Sequence, residues 1–337
     1  MKFVKPLTAG IVGAAALGFG GAASAQDCGS LTIAEMDWAS AELMANVDKI
    51  ILEEGYGCEV ELIPGATMTT FASMNEKAEP DVAPELWINA VRDPLAAAVA
   101  EGSLHSVVEG PITQLGEGWW VDPQFVADYP ELDTVEKVLQ HPELFPWAED
   151  ESLGAFMGCP AGWGCQLSNA NLFRAFGMED LGWHLVDPGS AAGLDGSIAR
   201  AVDRGEYWFG YYWAPTAVIG KYNLTLLEWE TPWGGSENWD GCIVKPEQEC
   251  ADPQPSRYTE SEVHTVITDR LQQEGGIAVD YFANRVFPGS VMNAMLVYMT
   301  DNQATGEDAA YEFLLTHEDI WSQWVSEDAA SMIRDAL

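Results

Sequence analysis

Strand-like and helix-like segments alternate regularly near the beginning of the chain. Residues 31–36 and 59–63 have the apolar patterns of strands, and residues 38–55 between them carry apolar side chains at helical spacing. A second helix over residues 68–77 and a third strand over residues 80–88 follow. This alternation predicts an α/β fold with a mostly parallel sheet covered by helices. Ligands of such folds bind beyond the carboxyl ends of the strands.

The length of the chain, 337 residues, favours two lobes, because a single compact core rarely accommodates so many residues. We predict a first lobe formed by residues 26–127 and 302–337, a second lobe formed by residues 128–301, and a ligand cleft between them. The loop-rich region 116–146 is the predicted first crossing between the lobes. Residues 262–273 are predicted to form a helix of the second lobe.

Residues 1–25 have the pattern of a cleaved secretory signal peptide. Two lysines precede an uncharged run over residues 7–23, and residues 23–25 read Ala-Ser-Ala, a small-residue cleavage pattern. The run is rich in glycine and short of the roughly 20 strongly apolar residues that a membrane span needs. We therefore expect a protein that is exported to the periplasm.

The formal net charge of −38 argues against nucleic acid as a partner, because binding to phosphates requires clusters of basic residues. Most of this acidity is explained by solubility, and acidic runs such as residues 149–151 are typical of solvated surfaces. A negative field also attracts cationic and zwitterionic solutes. The charge therefore favours a small cation over a polyanion as the ligand.

Six cysteines in an exported chain favour three disulfides over metal ligation. Their spacing favours local pairs, although other connectivities are possible. The predicted pairs are Cys28 with Cys58, Cys159 with Cys165, and Cys242 with Cys250.

The chain lacks the sequence signatures of the common enzyme classes. It has no His-Glu-x-x-His, Gly-x-Ser-x-Gly, Walker or three-glycine dinucleotide motif. Its five histidines do not have the spacing of metal ligands. We therefore expect no catalytic residues, no metal and no cofactor.

Tryptophan is unusually frequent, with 14 residues, and several tryptophans are flanked by glycine, proline or cysteine. Trp163 lies in a Cys-Pro-Ala-Gly-Trp-Gly-Cys loop, and Trp213 precedes Ala-Pro at a predicted strand end. Trp38 and Trp87 also follow predicted strands. An indole face attracts a cation by about 0.5–2 kcal/mol, so several indoles together suit a trimethylammonium group, which has no N–H donors. Four other tryptophans are expected to fill the hydrophobic core instead: Trp183, Trp229, Trp321 and Trp324.

Six segments of the chain together have a recognisable pattern. They are Asp37-Trp38-Ala-Ser-Ala, Ile51-Leu52-Glu-Glu-Gly55-Tyr56, Pro84-Glu85-Leu86-Trp87, Cys159-x-x-Gly162-Trp163-Gly164-Cys165, Tyr212-Trp213-x-Pro215 and Lys221-Tyr222. With these segments the chain resembles the glycine betaine/proline-betaine-type, quaternary-ammonium substrate-binding proteins of ABC importers. The resemblance extends over most of the chain, and its most specific element is the Gly-Trp-Gly-Cys loop with its upstream cysteine.

The resemblance implies a two-lobed periplasmic-binding-protein fold of type II, which closes on its ligand at a hinge. It implies that Trp87, Trp163 and Trp213 form a cage for the quaternary ammonium, with Trp38 as a fourth wall. It also implies a disulfide across the tryptophan loop and a role for the Gly164 and Cys165 amides in binding a ligand carboxylate.

One position departs from the family pattern. Betaine-binding members can carry a carboxylate-binding histidine one helical turn after the first cage tryptophan, and this chain has Val91 there, beside Arg92. Either Arg92 or backbone amides replace the histidine, or the ligand lacks a carboxylate. Trimethylamine N-oxide and choline are then candidates beside glycine betaine and dimethylsulfoniopropionate. An acidic residue in the cage would favour choline or an N-oxide, and Glu131 is the candidate, with a surface role as the alternative.

We therefore expect a monomeric, non-enzymatic binding protein that delivers a methylated-ammonium compound to an ABC permease in the inner membrane. A secreted carbohydrate-binding protein or glycosidase that stacks sugars on tryptophan is the alternative from another class. A sensing subunit with the same pocket and a signalling partner is a third interpretation.

Overall fold

The computed structural model describes Met1 and residues 29–337. The remainder of the predicted signal peptide and Cys28 lie outside the described residues, so the predicted Cys28–Cys58 pair is not tested. The strands are β1 (Ser30–Met36), β2 (Glu59–Gly65), β3 (Val82–Trp87), β4 (Leu104–Glu109), β5 (Gly116–Val121), β6 (Pro146–Trp147), β7 (Asp150–Met157), β8 (Trp183–Val186), β9 (Phe209–Ala214), β10 (Thr225–Leu226) and β11 (Val263–Thr268).

The α-helices alternate with these strands and dominate the last 70 residues of the chain. They are α1 (Ala39–Tyr56), α2 (Thr67–Lys77), α3 (Arg92–Glu101), α4 (Pro123–Asp128), α5 (Val135–Val138), α6 (Gly164–Ala175), α7 (Ala191–Arg204), α8 (Ala217–Tyr222), α9 (Ser236–Asn238), α10 (Asp269–Glu274), α11 (Ile277–Asn284), α12 (Gly289–Asn302), α13 (Gly306–Thr316), α14 (Glu318–Trp321) and α15 (Glu327–Ala336).

The first lobe is built on a five-stranded sheet with the order β2-β1-β3-β11-β4. Strand β1 pairs in parallel with β2 and β3, whereas β11 runs antiparallel to β3 and β4. Helix α1 buries an apolar face that includes Leu43, Val47 and Ile51, and it packs against α13 and α15. It ends at Gly57, whose φ of 71° is a left-handed cap that glycine adopts without strain. The predicted strands and helices of this region are confirmed.

The second lobe is built on a sheet with the order β10-β5-β9-β7-β6, and β8 pairs in parallel with β7. Strands β5 and β9 are antiparallel neighbours, with Glu117 opposite Trp213 and Trp119 opposite Tyr211. Trp119 and Trp183 are fully buried in this lobe and donate indole hydrogen bonds to Asn169 and to the Leu139 carbonyl. Two sheets in two lobes confirm the predicted α/β architecture. The prediction of a mostly parallel sheet is wrong, because β11 is antiparallel to both of its neighbours and β5 is antiparallel to β9 and β10.

The strands divide between the lobes at other positions than predicted. The chain leaves the first sheet after β4 and enters the second at β5, which lies inside the predicted first lobe. It returns at β11, inside the predicted second lobe. The predicted helix over residues 262–273 is wrong, because the β-branched run from Val263 to Thr268 forms β11 and only the following residues form α10. Helices α10 and α11 contact strands of the first sheet, and α12, α13 and α15 contact α1.

Two of the predicted disulfides are confirmed: Cys159 is bonded to Cys165, and Cys242 to Cys250. Within the described part of the chain, no helix has both the length and the hydropathy required to cross a membrane. The same residues contain no group of three or more His, Cys, Asp or Glu side chains arranged to hold a metal ion.

Candidate ligand-binding site

A cavity lies between the two lobes, with about 460 Å³ of empty space that includes its opening to solvent. All four tryptophans predicted to form a cage line it. Its aromatic lining comes from both sides of the cleft and comprises Trp38, Trp87, Trp163, Tyr211, Trp213, Trp239 and Tyr258.

Each of the four predicted tryptophans is placed by the end of a strand or the start of a helix. Trp38 is the N-cap of α1, directly after β1, and Trp87 is the last residue of β3. Trp163 is the N-cap of α6, and Trp213 is the penultimate residue of β9. Carboxyl ends of strands and amino ends of helices therefore converge on the cleft, as expected for an open α/β sheet.

The indoles meet nearly at right angles, which gives the cavity the walls of a box. The ring centroids of Trp38 and Trp163 are 5.3 Å apart with an interplanar angle of 72°. Those of Trp163 and Trp213 are 5.0 Å apart at 84°. Trp38, Trp163 and Trp213 are each no more than 6% exposed, so a ligand among them is removed from water.

A second aromatic group, which the sequence analysis missed, closes the other side of the cavity. Trp239 lies 5.2 Å from Tyr258, and Tyr258 lies 5.9 Å from Tyr211, measured between ring centroids. Trp239 begins a π-helical turn over Trp239–Ile243, and its indole donates to the Asn89 carbonyl. The sequence signal was weak, because both Trp239 and Tyr258 lie in the irregular segment between β10 and β11.

Glu85 lies at the N–H edges of two of the tryptophan rings and is only 1% exposed. Its Oε1 atom accepts hydrogen bonds from the indoles of Trp38 (2.8 Å) and Trp87 (2.9 Å) and from the Ser40 hydroxyl (2.9 Å). Burial raises the pKa of Glu85 to about 7, an effect that the three hydrogen bonds and Arg285 oppose. The sequence analysis quoted Glu85 only as part of a family segment.

Glu117 is an acidic residue that reaches the cavity directly. It lies opposite Trp213 in the β5–β9 ladder, so the two side chains share one face of the sheet with Tyr211. Its carboxylate accepts hydrogen bonds from the Tyr211 hydroxyl (2.8 Å) and from the Asn89 amide of the other lobe (2.6 Å). Burial raises the pKa of Glu117 to about 7.

The tryptophan loop brings the amino end of α6 to the cavity, with Gly164 and Cys165 in its first turn. First-turn amides have no carbonyl partner within their own helix, so they are available to an anionic group. Gly164 lies so close to the first lobe that a Cβ atom on it would be 2.6 Å from the Ala90 Cβ. Only glycine permits this approach of the two lobes.

Polar contacts cross the cleft around the cavity. The Trp163 indole donates to Asp37 at 2.8 Å, and the Met68 amide donates to the Gly162 carbonyl at 3.1 Å. Arg92 forms an ion pair of 3.1 Å with Asp240. The structure therefore has the two lobes closed on each other.

Two of the residues considered for the polar end of the ligand lie elsewhere. Glu131 is exposed and is outside the set of described residues that line the cavity. Arg92 is paired with Asp240 and, at 3.3 Å, with Glu262, and it does not line the cavity either. The lining acidic residue is Glu117, from a strand within the region that was predicted to be loop-rich.

Comparison with solved structures supports the two-lobed fold. The chain is similar to a glycine betaine/L-proline-binding protein from Borrelia burgdorferi (TM-score 0.69, 16% identity, 90% of this chain and 99% of that chain covered). It is similar to an ABC-transporter choline-binding protein in complex with choline (TM-score 0.69, 18% identity, 92% and 98% covered). It is also similar to lactococcal OpuAC in its closed conformation with glycine betaine (TM-score 0.64, 16% identity, 88% and 99% covered).

No curated protein sequence matches the chain. A family model does match it, from residue 29 to residue 315, and this model describes the substrate-binding domain of ABC-type glycine betaine transport systems. The matched region contains both sheets and every residue that lines the cavity. This chain therefore belongs to the family of substrate-binding domains of ABC-type glycine betaine transport systems.

Proposed function

We propose that the protein captures a small methylated-ammonium compound in the cage of Trp38, Trp87, Trp163 and Trp213 and delivers it to an ABC permease. The candidate ligands are glycine betaine, trimethylamine N-oxide, choline and the sulfonium analogue dimethylsulfoniopropionate. One observation carries the proposal: indoles from both lobes converge on one cavity. Structural neighbours that hold choline and glycine betaine support it.

The chemistry of a trimethylammonium group suits this cavity. Its methyl groups are apolar and carry the positive charge on their surface, so each indole face gains about 0.5–2 kcal/mol from the cation. Closure of the lobes removes water, and the loss of its screening strengthens these contacts. An ordinary ammonium group would leave its N–H donors unpaired against the rings.

Two sets of groups are available for the polar end of the ligand. The first-turn amides of Gly164 and Cys165 suit the carboxylate of a betaine, because a helix amino end favours a negative charge. Glu117 suits the hydroxyl of choline or a protonated N-oxide, because a carboxylate accepts a hydrogen bond. The order of affinities among the four candidate ligands therefore indicates whether the amides or Glu117 bind the polar end of the ligand.

Capture and delivery follow from the two-lobed form. An open cleft admits the ligand, and the contacts of Trp163 with Asp37 and of Asn89 with Glu117 form as the lobes close. The closed form presents a defined pair of lobe surfaces to the membrane permease. We propose that the protein carries out this capture in the periplasm.

Isothermal titration calorimetry with the four candidate ligands tests the proposal. We expect at least one to bind, and we expect Trp163→Ala and Trp213→Ala each to weaken that ligand by about tenfold or more. Trp147→Ala is the matched control, since Trp147 stacks on His184 at the edge of the second sheet and does not line the cavity. Unchanged affinity in both cage variants would refute the cage. Binding of oligosaccharides alone would replace it with carbohydrate recognition.

A further inference from the structure

We infer that Glu85 is the positioning residue of the cage: it fixes the Trp38 and Trp87 rings and supplies, at their N–H edges, the negative charge that makes the cage select a cation. The inference rests on the proposed function, because it requires a ligand that is a methylated cation. Glu85 does not line the cavity, so it acts on the ligand through the two indoles.

The positioning role follows from where the hydrogen bonds converge. Trp38 begins α1 and Trp87 ends β3, yet both indole N–H groups donate to the same oxygen, Oε1 of Glu85. Glu85 and Trp87 are two residues apart in one strand, so their side chains lie on the same face of the sheet. Two rings from separate elements are thereby held in one orientation by one acceptor. Without that acceptor, both indole N–H groups would lose their partner, and the rings would lose the contact that orients them.

The electrostatic role follows from what surrounds the carboxylate. Among the described residues, its second oxygen, Oε2, has no hydrogen-bond partner, although it is buried. The groups that face Glu85 are Trp38 and Ser40 at the start of α1, Trp87 on its own strand, and the cation Arg285. Arg285 is fully buried and pairs with Asp48 at 3.0 Å, so its charge is already largely balanced.

A cation above the indole faces therefore meets the negative side of two rings whose N–H groups donate to a carboxylate. Charges interact more strongly where water is excluded than in bulk water. Burial raises the pKa of Glu85, and a bound cation opposes that effect by stabilising the ionised form. Binding of a cation and ionisation of Glu85 are thus coupled, whereas a neutral molecule of the same shape gains nothing from the charge.

The test compares Glu85→Gln with the wild-type protein and uses two ligands of the same shape. The probes are choline and 3,3-dimethylbutan-1-ol (dimethylbutanol below). This alcohol is the neutral analogue of choline in which a carbon replaces the quaternary nitrogen. Glutamine keeps an acceptor oxygen for the indoles but removes the charge. We expect the affinity for choline to fall about tenfold and the affinity for dimethylbutanol to stay the same. Glu131→Gln is the matched control, because Glu131 is an exposed acid away from the cavity.

An equal loss for both probes would indicate a merely structural role for Glu85, and no loss for either would also overturn the inference. Ser40→Ala provides a second, milder variant, since it removes one hydrogen bond that lowers the pKa of Glu85 and leaves the charge in place. In this variant the pH at which choline affinity falls by half should move upwards. An unchanged midpoint would contradict the inference.

A ligand-free measurement separates this inference from the proposed function. In nitrogen-15 NMR spectra, the indole N–H resonances of Trp38 and Trp87, assigned with phenylalanine variants, should move upfield in Glu85→Gln because an amide oxygen is a weaker acceptor than a carboxylate. The Trp163 resonance, whose acceptor is Asp37, should not move. If the wild-type protein binds no methylated-ammonium compound, the proposed function fails, and these resonances alone decide whether Glu85 positions the rings. Unmoved Trp38 and Trp87 resonances would refute that role.

Discussion

Replacement of Gly164 by alanine should weaken ligand binding without destabilising the ligand-free protein. The added Cβ atom would lie 2.6 Å from the Ala90 Cβ, whereas two carbon atoms prefer a separation of about 3.5–4.0 Å. Neither atom belongs to a flexible side chain, so the two lobes must move apart by about 1 Å. Overpacking of this kind costs about 1–3 kcal/mol. The affinity should therefore fall by about 5- to 150-fold.

The cost applies only to the closed form, because Gly164 and Ala90 belong to different lobes. Alanine is at least as compatible as glycine with a helix, so the thermal midpoint of the ligand-free protein should stay the same or rise slightly. Calorimetry for binding and differential scanning calorimetry for stability measure the two effects. Gly220→Ala is the matched control, since a Cβ on this helical glycine of α8 meets no other atom within 4 Å. Wild-type affinity in Gly164→Ala would refute the close approach of the lobes in the ligand-bound state.

Three further predictions use charged groups. Lowering the pH from about 8 to about 6 should weaken choline binding about tenfold and yet raise the free energy of unfolding of the ligand-free protein. The reason is that burial raises the pKa of both Glu85 and Glu117 to about 7, so each attracts a cation when ionised but is less costly to bury when protonated. Calorimetry and urea denaturation at both pH values should give these opposite trends, and parallel trends would contradict the reasoning. Arg92→Gln should speed ligand dissociation in stopped-flow measurements by about two- to fivefold, because it removes the partly exposed ion pair with Asp240 across the cleft; an unchanged rate would exclude that contact as a latch. Arg285→Leu should lower the free energy of unfolding by about 3–5 kcal/mol, because it leaves Asp48 buried without its partner, and adding Asp48→Asn should recover part of the loss in urea denaturation; no recovery would assign the loss to packing.

The sequence was sufficient to locate the four tryptophans of the proposed cage because each has a local signal. Trp38 and Trp87 follow runs that already read as strands, and Trp163 lies in a glycine-rich loop between two cysteines. Trp213 ends an aromatic strand. In an α/β fold these positions reach the cleft whatever the detailed packing is. Their convergence on one cavity could therefore be expected before the packing was known.

The residues that the sequence analysis missed depend on contacts between distant segments. Glu85 and Glu117 are acidic residues within strands, and an acidic residue in a strand looks solvent-exposed until its partners are known. Trp239 lies in an irregular segment whose path no periodicity predicts. Strand β11 carried a signal in its β-branched residues that the predicted helix over residues 262–273 overlooked. Polar partners across the cleft thus required the structure.

The position of β11 between β3 and β4 has a consequence for the order of folding. Its pairing joins Ile267 to Val82, so more than half of the chain length separates two neighbours in the first sheet. All strands of the second sheet, in contrast, come from one continuous stretch between Gly116 and Leu226. Because closing a long loop slows folding, the first sheet should be completed after the second. Pulsed hydrogen exchange should then protect the amides of β9 earlier than those of β11, and the cavity should be the last part of the molecule to form.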